Sequence, residues 1–177
     1  MKKIIPLCIL PFMFCSVTTA HGLDIYTGVM VGQGTAFADD YAHGGGSFGG
    51  MLGISVSTFR GEIEYNYIYG RRSAGKVFAY DSKIKAHSGM LNGYILMPTP
   101  MIKPYIGAGI GSVFAGEISN QDISPRMAYQ GMVGLQLKVP FLPLFADVET
   151  RVLYSGRVTQ DYSLTQWDGR LKVRYAF

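Results

Sequence analysis

Cysteine is nearly absent from the sequence, and its two positions, Cys8 and Cys15, both fall in the first twenty residues. The rest of the chain has no thiol, which excludes a disulfide framework and a cysteine-ligated metal site. Histidine is scarce as well, because only His21, His43 and His87 occur, and no two of them have the spacing of metal ligands on one face. We therefore predict no metal and no cofactor.

Long apolar runs are also missing, apart from one at the N-terminus. Two lysines precede an apolar run over residues 4–14, and Thr18–Ala20 places small residues where a signal peptidase inspects the chain. The run is shorter than the about 20 residues that a membrane-spanning helix needs, although an uncleaved anchor is the alternative. We predict a cleavable signal peptide over residues 1–20 and a single domain over residues 21–177.

Neither an excess of one charge nor a helical period is found. Without Lys2 and Lys3 the chain has fourteen basic and twelve acidic residues, so its net charge falls from +4 to +2. This balance argues against nucleic-acid binding. After residue 22 no window sustains a helical period, and apolar and polar residues alternate with a period of two. The pattern predicts an all-β domain.

The alternation predicts eight strands, most of them ten residues or longer. A tilted strand needs about 9–11 residues to cross a bilayer. Long and short connections alternate, as in transmembrane barrels with short periplasmic turns and long extracellular loops. The predicted strands cover residues 23–34, 46–57, 60–70, 82–97, 101–115, 126–139, 143–155 and 167–177. The predicted long connections cover residues 35–45, 71–81, 116–125 and 156–166.

Each strand has an apolar face and a polar face. On the last strand Trp167, Gly169, Leu171, Val173, Tyr175 and Phe177 alternate with Asp168, Arg170, Lys172 and Arg174. In a transmembrane barrel the apolar faces contact lipid and the charges fill the interior. Aromatic residues near both strand ends predict two interfacial girdles. One set is Phe48, Tyr69, Phe114, Tyr129, Tyr154 and Trp167 beside the long loops; the other is Tyr94, Phe141, Tyr175 and Phe177 near the short turns.

The charged faces of the last two strands predict ion pairs inside the barrel. Counting from the short turn and from the C-terminus places Asp147 opposite Arg174, and Glu149 opposite Lys172. The same register brings Arg151 close to Arg170, a like-charged pair. Two carboxylates of strand three, Glu62 and Glu64, are expected to reach Arg174 and Lys172 across the interior. An eight-stranded barrel is narrow enough for such side chains to fill it.

The run Pro104–Gly111 and the C-terminal Arg174–Phe177 resemble the family of small outer-membrane β-barrels that includes OmpA-like, OmpX-like and opacity-type surface antigens. The resemblance implies an eight-stranded antiparallel transmembrane β-barrel of the bacterial outer membrane. It also implies that the assembly machinery of that membrane recognises Tyr175 and Phe177. Expected partners are outer-membrane lipids, lipopolysaccharide and a host surface ligand, and the barrel is expected to be a monomer.

Three constellations could carry chemistry, and none favours catalysis. If His87 and Ser88 were the base and the nucleophile of a hydrolase, both side chains would have to lie on one face. Adjacent strand residues point to opposite faces. We expect His87 to face the lumen and Ser88 the lipid. Asp81 and Ser82 with His43 faintly resemble a lipid A palmitoyl-transferring barrel, but the amphipathic helix of that barrel is missing.

The predicted loops offer weaker candidates. Asp39–Asp40 beside His43 suggests a surface protease, but the barrels of that family are much longer. Gly44–Gly46 is predicted to be a flexible loop, because no Lys-Ser/Thr follows it as in a phosphate-binding loop. The cations Arg71, Arg72 and Lys76 are either solvated or contact lipopolysaccharide phosphates or an anionic host ligand.

The sequence therefore predicts no catalytic residue. It favours a non-enzymatic surface protein that displays loops for adhesion, host interaction or envelope integrity. A lipid A-modifying enzyme and a narrow, porin-like channel are the alternatives.

Overall fold

The computed structural model describes residues 23–38, 41–71, 83–118, 121–122, 125–157 and 163–177. Within these ranges the chain forms strands joined by short turns, and no helix long and apolar enough to cross a membrane is found there. The strands are β1 Leu23–Ala38, β2 Tyr41–Val56, β3 Phe59–Arg71, β4 Lys83–Leu96, β5 Ile102–Ile118, β6 Gln121–Asp122, β7 Arg126–Lys138, β8 Leu144–Arg157 and β9 Ser163–Ala176.

Eight of the strands close into an antiparallel barrel. Sequential neighbours pair around the ring, with β5 followed by β7, and β1 pairs with β9 from Tyr26–Ala176 to Ala38–Leu164. The short β6 pairs only with the end of β5. Closure leaves no unpaired sheet edge among the eight strands, as a structure that spans lipid requires. The predicted fold is confirmed.

The strand ends at the short turns lie within one residue of the prediction, and so do the end of β3 and the starts of β4 and β7 at the long connections. The other strand ends at the long connections differ by two to five residues. β1 continues to Ala38, β2 already begins at Tyr41, and β9 begins at Ser163. The prediction of a flexible loop at Gly44–Gly46 is wrong, since these glycines pair with both β1 and β3. Backbone hydrogen bonds continue where the apolar alternation stops, because pairing does not require a side chain.

The short turns, the start of β1 and the end of β9 lie at the same end of the barrel. The amide of Phe177 donates to the carbonyl of Ile25 at 2.9 Å, and the amide of Ala176 donates to the carbonyl of Pro143 at 2.9 Å. In two of these turns a non-glycine residue has a positive φ, which is 52° at Ser57 and 65° at Phe141. Tight turns of this kind require left-handed backbone at one position.

The polarity of the wall is inverted relative to a soluble barrel. Apolar side chains stand exposed on the outer face, where Ile63 is 65% and Val29 is 64% exposed. Charged side chains lie inside, where Arg151 and Lys172 are 0% exposed. Water cannot favour an outer face of this kind, whereas lipid can. The outer apolar residues also include Leu52, Ile54, Leu91, Ile106, Val133, Val148, Leu171 and Val173.

The outer aromatic girdle beside the long connections has the predicted members, which are exposed on the wall: Phe48, Tyr69, Phe114, Tyr129, Tyr154 and Trp167. The assignment of Tyr94 to the second girdle is wrong, because Tyr94 is only 2% exposed and points into the lumen. It shares the inward face of β4 with Asn92 and Ser88. Its hydroxyl donates to Glu62 at 3.1 Å, so the buried hydroxyl group has a hydrogen-bond acceptor in the lumen.

Small residues on the inward face of β5 make room for the large inward side chains of β4. A Cβ atom added at Gly107 would overlap the ring of Tyr94, and one added at Gly109 would overlap Asn92. The alternate glycines of the run thus leave space for bulky neighbours, as the sequence implied.

Candidate functional site

The lumen holds equal numbers of buried cations and carboxylates among the described residues. None of them is more than 3% exposed, and their formal charges cancel. Burying a charge is costly unless it is paired and hydrogen-bonded. The cations are Arg60, Arg151, Arg170, Lys172 and Arg174, and the carboxylates are Glu62, Glu64, Asp147, Glu149 and Asp168.

Asp147 anchors the network near the short turns. Arg174 donates to its two oxygens from Nε at 3.0 Å and from Nη2 at 2.8 Å. Arg60 donates from Nη1 at 3.0 Å. The Arg60 guanidinium carbon also lies 4.0 Å from the ring centre of Tyr94 and 4.6 Å from that of Tyr105. Aromatic faces attract a cation in this position, so these rings and the carboxylate together hold it at this level.

In the middle of the barrel Lys172 joins carboxylates from two sides of the lumen. Its Nζ atom lies 3.2 Å from Glu62 and 3.1 Å from Glu149. Glu149 also accepts a hydrogen bond from Tyr105 at 2.9 Å and pairs with Arg170. Arg170 in turn contacts Glu64 on β3, with 2.7 Å between Nη1 and Oε1. The lumen is therefore bridged from wall to wall.

Nearer the long connections, Arg151 and Asp168 form a two-pronged pair. Nε and Nη2 of Arg151 donate to the two carboxylate oxygens at 2.8 and 2.7 Å. Ser47 donates to the same carboxylate at 2.9 Å, and Gln166 accepts from Arg151 at 3.0 Å. Such bidentate pairs are the strongest type of charge-assisted hydrogen bond.

The predicted register of the last two strands is wrong by two residues. The residues that face each other are Asp147 and Lys172, Glu149 and Arg170, and Arg151 and Asp168. The cause is that β9 extends further past the start of β8 than the counting assumed, with Tyr175 opposite Leu144. The expected like-charged pair of Arg151 with Arg170 does not arise, because each of these arginines faces a carboxylate.

The predicted ion pairs nevertheless exist. Arg174 reaches Asp147, and Lys172 reaches Glu149, along the diagonals of the sheet. Long side chains can bridge diagonal neighbours about 7–8 Å apart. Across the lumen, Lys172 contacts Glu64 as expected, but Glu62 also pairs with Lys172. The carboxylate that pairs with Arg174 among the described residues is Asp147, so the expected contact of strand three with Arg174 is wrong.

The candidate catalytic pair on β4 is split between two faces, in the sense opposite to the one expected. Ser88 is 0% exposed in the lumen, and His87 lies on the outer wall. The cause is that even-numbered residues of β4 carry the inward face, together with Asn92 and Tyr94. The prediction that His87 faces the lumen is therefore wrong, while the expectation that the two side chains do not share a face is correct.

Most of the other candidates cannot be placed. Residues 39–40, 72–82 and 158–162 lie outside the described residues, and with them Asp39, Asp40, Arg72, Lys76, Asp81 and Ser82. The same holds for His21 at the N-terminus. His43 and Arg71 are described only as backbone positions of β2 and β3. Where the chain is described, no group of three or more potential ligands could hold a metal ion.

A feature that the sequence analysis missed is a polar contact on the outer wall. The Tyr65 hydroxyl lies 2.7 Å from Nδ1 of His87. The ring centre of Tyr67 is 4.9 Å from that of His87, and that of Phe114 is 6.5 Å away. The signal for it was the outward row Tyr65, Tyr67 and Tyr69 on β3, which required the register of β4 before it could be paired with a partner.

Comparison with known proteins supports this architecture. Residues 70–146 match a sequence family described as "Surface antigen". A search of the curated proteins gave no match. Among solved structures, Neisserial surface protein A superposes with a TM-score of 0.72 at 18% identity, covering 88% of this chain and 99% of that one.

Two further structures have the same fold. OprG, an outer membrane protein of Pseudomonas aeruginosa, gives a TM-score of 0.55 at 11% identity and covers 88% of this chain and 96% of its own. The outer membrane enzyme PagL gives 0.52 at 16% identity, with coverage of 82% and 97%. With its closed wall, apolar exterior and charged interior, the chain has the fold of the small eight-stranded β-barrels of the bacterial outer membrane, and over residues 70–146 it is similar to the surface antigen family.

Proposed function

We propose that this protein is a non-enzymatic platform that displays its extracellular loops for adhesion, host interaction or envelope integrity. The observation that carries the proposal is the lumen, where ion pairs such as Lys172–Glu62 and Arg170–Glu64 join opposite walls. A wall braced in this way changes shape little when a loop contacts a partner. Function then belongs to the connections at the extracellular end, as is common for loops on a rigid scaffold.

The packed lumen also argues against the channel alternative. A conducting path would have to displace charged side chains that are paired within about 3 Å of each other, and each broken buried pair is costly. We therefore expect the full-length protein to show no sustained single-channel conductance in planar bilayers. Stable conductance would show that the protein is a narrow channel and would contradict the display function.

The enzyme alternative is tested by lipid chemistry, because PagL shows that this fold can support catalysis. The full chain is expressed in a non-adherent strain, lipid A is extracted, and its molecular mass is measured by mass spectrometry. We expect an unchanged lipid A mass together with new binding of the strain to host cells or matrix. A change in acylation would overturn the proposal.

A matched control separates loop from barrel effects. Residues 72–82 are replaced by a Gly-Ser segment of equal length, which leaves every described strand intact. The replacement should abolish transferred binding but preserve the mobility difference between boiled and unboiled protein in detergent gels. Binding that survives replacement of each extracellular connection in turn would contradict loop display.

A further inference from the structure

The outer wall of β3, β4 and β5 changes in character along the strands. On β4 the outward residues near the extracellular end are Lys85 and His87, followed by Gly89 and then by Leu91, Gly93 and Ile95. The wall is thus cationic and polar at the extracellular end and apolar in its lower half. A lipid has the same division between headgroup and chains.

The upper half forms a headgroup-sized patch, which we define as Lys85, His87, Tyr65, Tyr67 and Phe114. The Tyr65 hydroxyl lies 2.7 Å from Nδ1 of His87, which fixes the imidazole against the wall. The Tyr67 ring packs against this imidazole, with 4.9 Å between ring centres. Phe114 leans over Gly89, since a Cβ there would lie 3.5 Å from the phenyl ring. Lys85 is exposed one outward position above His87.

The lower half contains an apolar groove where the outward residues of three neighbouring strands are glycine or alanine. Gly61, Gly93 and Ala108 face each other across β3, β4 and β5. A Cβ added at Gly93 would meet no atom within 4 Å. The resulting groove has a volume of about 550 Å³. Its apolar borders are Ile54, Val56, Phe59, Ile95 and Ile106.

The two halves are separated by about half the thickness of a bilayer. His87 and Gly93 are six residues apart, or roughly 20 Å at about 3.3 Å per residue. With a strand tilt of about 40°, this spans roughly 15 Å along the membrane normal, half of the about 30 Å hydrocarbon core. A chain that starts at the patch and follows the tilted direction of β4 therefore ends in the groove near the midplane.

We propose that this wall binds one phosphorylated glycolipid of the outer leaflet. Lys85 and His87 bind a phosphate, and the aromatic rings pack against the sugar. One acyl chain descends past Leu91 into the groove at Gly93. Lys85 is exposed at the headgroup level, and the neighbouring outward register positions carry Lys83 and Arg71 against one carboxylate, Glu117, opposite Lys85. The net positive charge of these positions complements an anionic lipid. The site is separate from the loops, so it adds to the proposed display function and does not depend on it.

The groove offers a substitution with a matched control. Gly93→Leu fills the groove without a clash, because its Cβ would meet open space. Gly169→Leu makes the same change on the outer wall of β9, where a Cβ would also meet nothing within 4 Å. Both variants are checked for the gel mobility of the folded barrel. Only the first variant blocks the proposed acyl chain.

The experiment measures binding of bisphosphorylated lipid A to the refolded barrel in phosphatidylcholine nanodiscs, with native mass spectrometry as the readout. Gly93→Leu should weaken binding at least about tenfold, as expected from the loss of two buried methylene groups, while Gly169→Leu should match the wild type. Changing Lys85 and His87 together to Gln should lower affinity for lipid A but not for dephosphorylated lipid A.

Three results would overturn the proposal. The first is equal binding by the two leucine variants, and the second is equal affinity for phosphorylated and dephosphorylated lipid A. The third is equally tight binding of phosphatidylglycerol, which would mean general attraction of anionic lipids. A chemical change in the lipid A during incubation would instead contradict the non-enzymatic function and leave the location of the site to be judged by the leucine variants.

Discussion

Replacing Asp168 with Asn tests whether the lumen is a charge-balanced core. The carboxylate accepts hydrogen bonds from Nε and Nη2 of Arg151 at 2.8 and 2.7 Å, and from Ser47 at 2.9 Å. An amide of the same shape turns an N–H group toward the guanidinium. Arg151 then retains Glu64 at 3.5 Å as its nearest carboxylate. Removing one partner of a buried ion pair costs about 3–5 kcal/mol.

A double-mutant cycle isolates the pair. Arg151→Met alone leaves Asp168 without its main cation, so a similar loss of stability is expected. The double variant removes both charges and should lose less than the sum of the single losses, by about 1–3 kcal/mol. Asp24→Asn, at an exposed carboxylate near the short turns, is the control and should change stability by less than about 0.5 kcal/mol.

The measurement is urea unfolding of the barrel refolded in lipid vesicles, followed by the gel mobility of the folded form. If the lumen were hydrated, each charge would be solvated independently of its partner. Both single changes would then cost less than about 1 kcal/mol and would add in the double variant. That result would refute the packed-core interpretation for Arg151 and Asp168.

Three further outcomes are expected. Deleting Phe177 should lower the amount of protein assembled in the outer membrane more than the urea stability of refolded protein, because its ring lies at the barrel rim beside Tyr175, with 5.2 Å between ring centres; normal assembly would contradict this. Trp167, the only tryptophan, is 54% exposed on the outer wall, so its emission should shift to the blue on folding into vesicles and be quenched by lipid-attached bromine. His43→Ala and Ser82→Ala should each leave lipid A acylation unchanged in mass spectra, and loss of an acyl-transfer or deacylation product in either variant would favour the enzyme.

The number of strands and the assignment of their faces could be predicted because both depend on a local period of two. In β9, every residue from Asp168 to Tyr175 lies on the face that alternation gave it. A slip of one residue would bring Arg170 or Lys172 into lipid, where a charge costs roughly 2–4 kcal/mol at the midplane. Local sequence therefore suffices for this part of the fold.

Register could not be predicted with the same certainty, because it depends on how far neighbouring strands slide past each other. A shift of two residues keeps every side chain on its face, so the alternation does not oppose it. Charge decides between the two registers. The predicted one set Arg151 near Arg170, while the observed one gives each of these arginines a carboxylate directly opposite.

The outer patch was missed for a related reason. His87 and Tyr65 are 22 residues apart, and nothing local indicates that their side chains meet. Their contact follows only from the pairing of Tyr67 with His87 between β3 and β4. Sequence reasoning also placed His87 on the wrong face, since the irregular pairing beside Ser88 lies where the alternation of β4 is weakest.

The distribution of contacts explains where new function can arise in such a barrel. Lys172 touches carboxylates of β3 and β8, so a change at this one interior position disturbs several strands at once. Gly93 on the outer wall faces open space, and a side chain added there alters only what the wall offers to lipid. Interior positions are therefore constrained together, whereas wall and loop positions can vary separately. A binding site on the outer wall costs the barrel little stability, which is why Gly93→Leu should change lipid binding while leaving the urea midpoint within about 0.5 kcal/mol of the wild type.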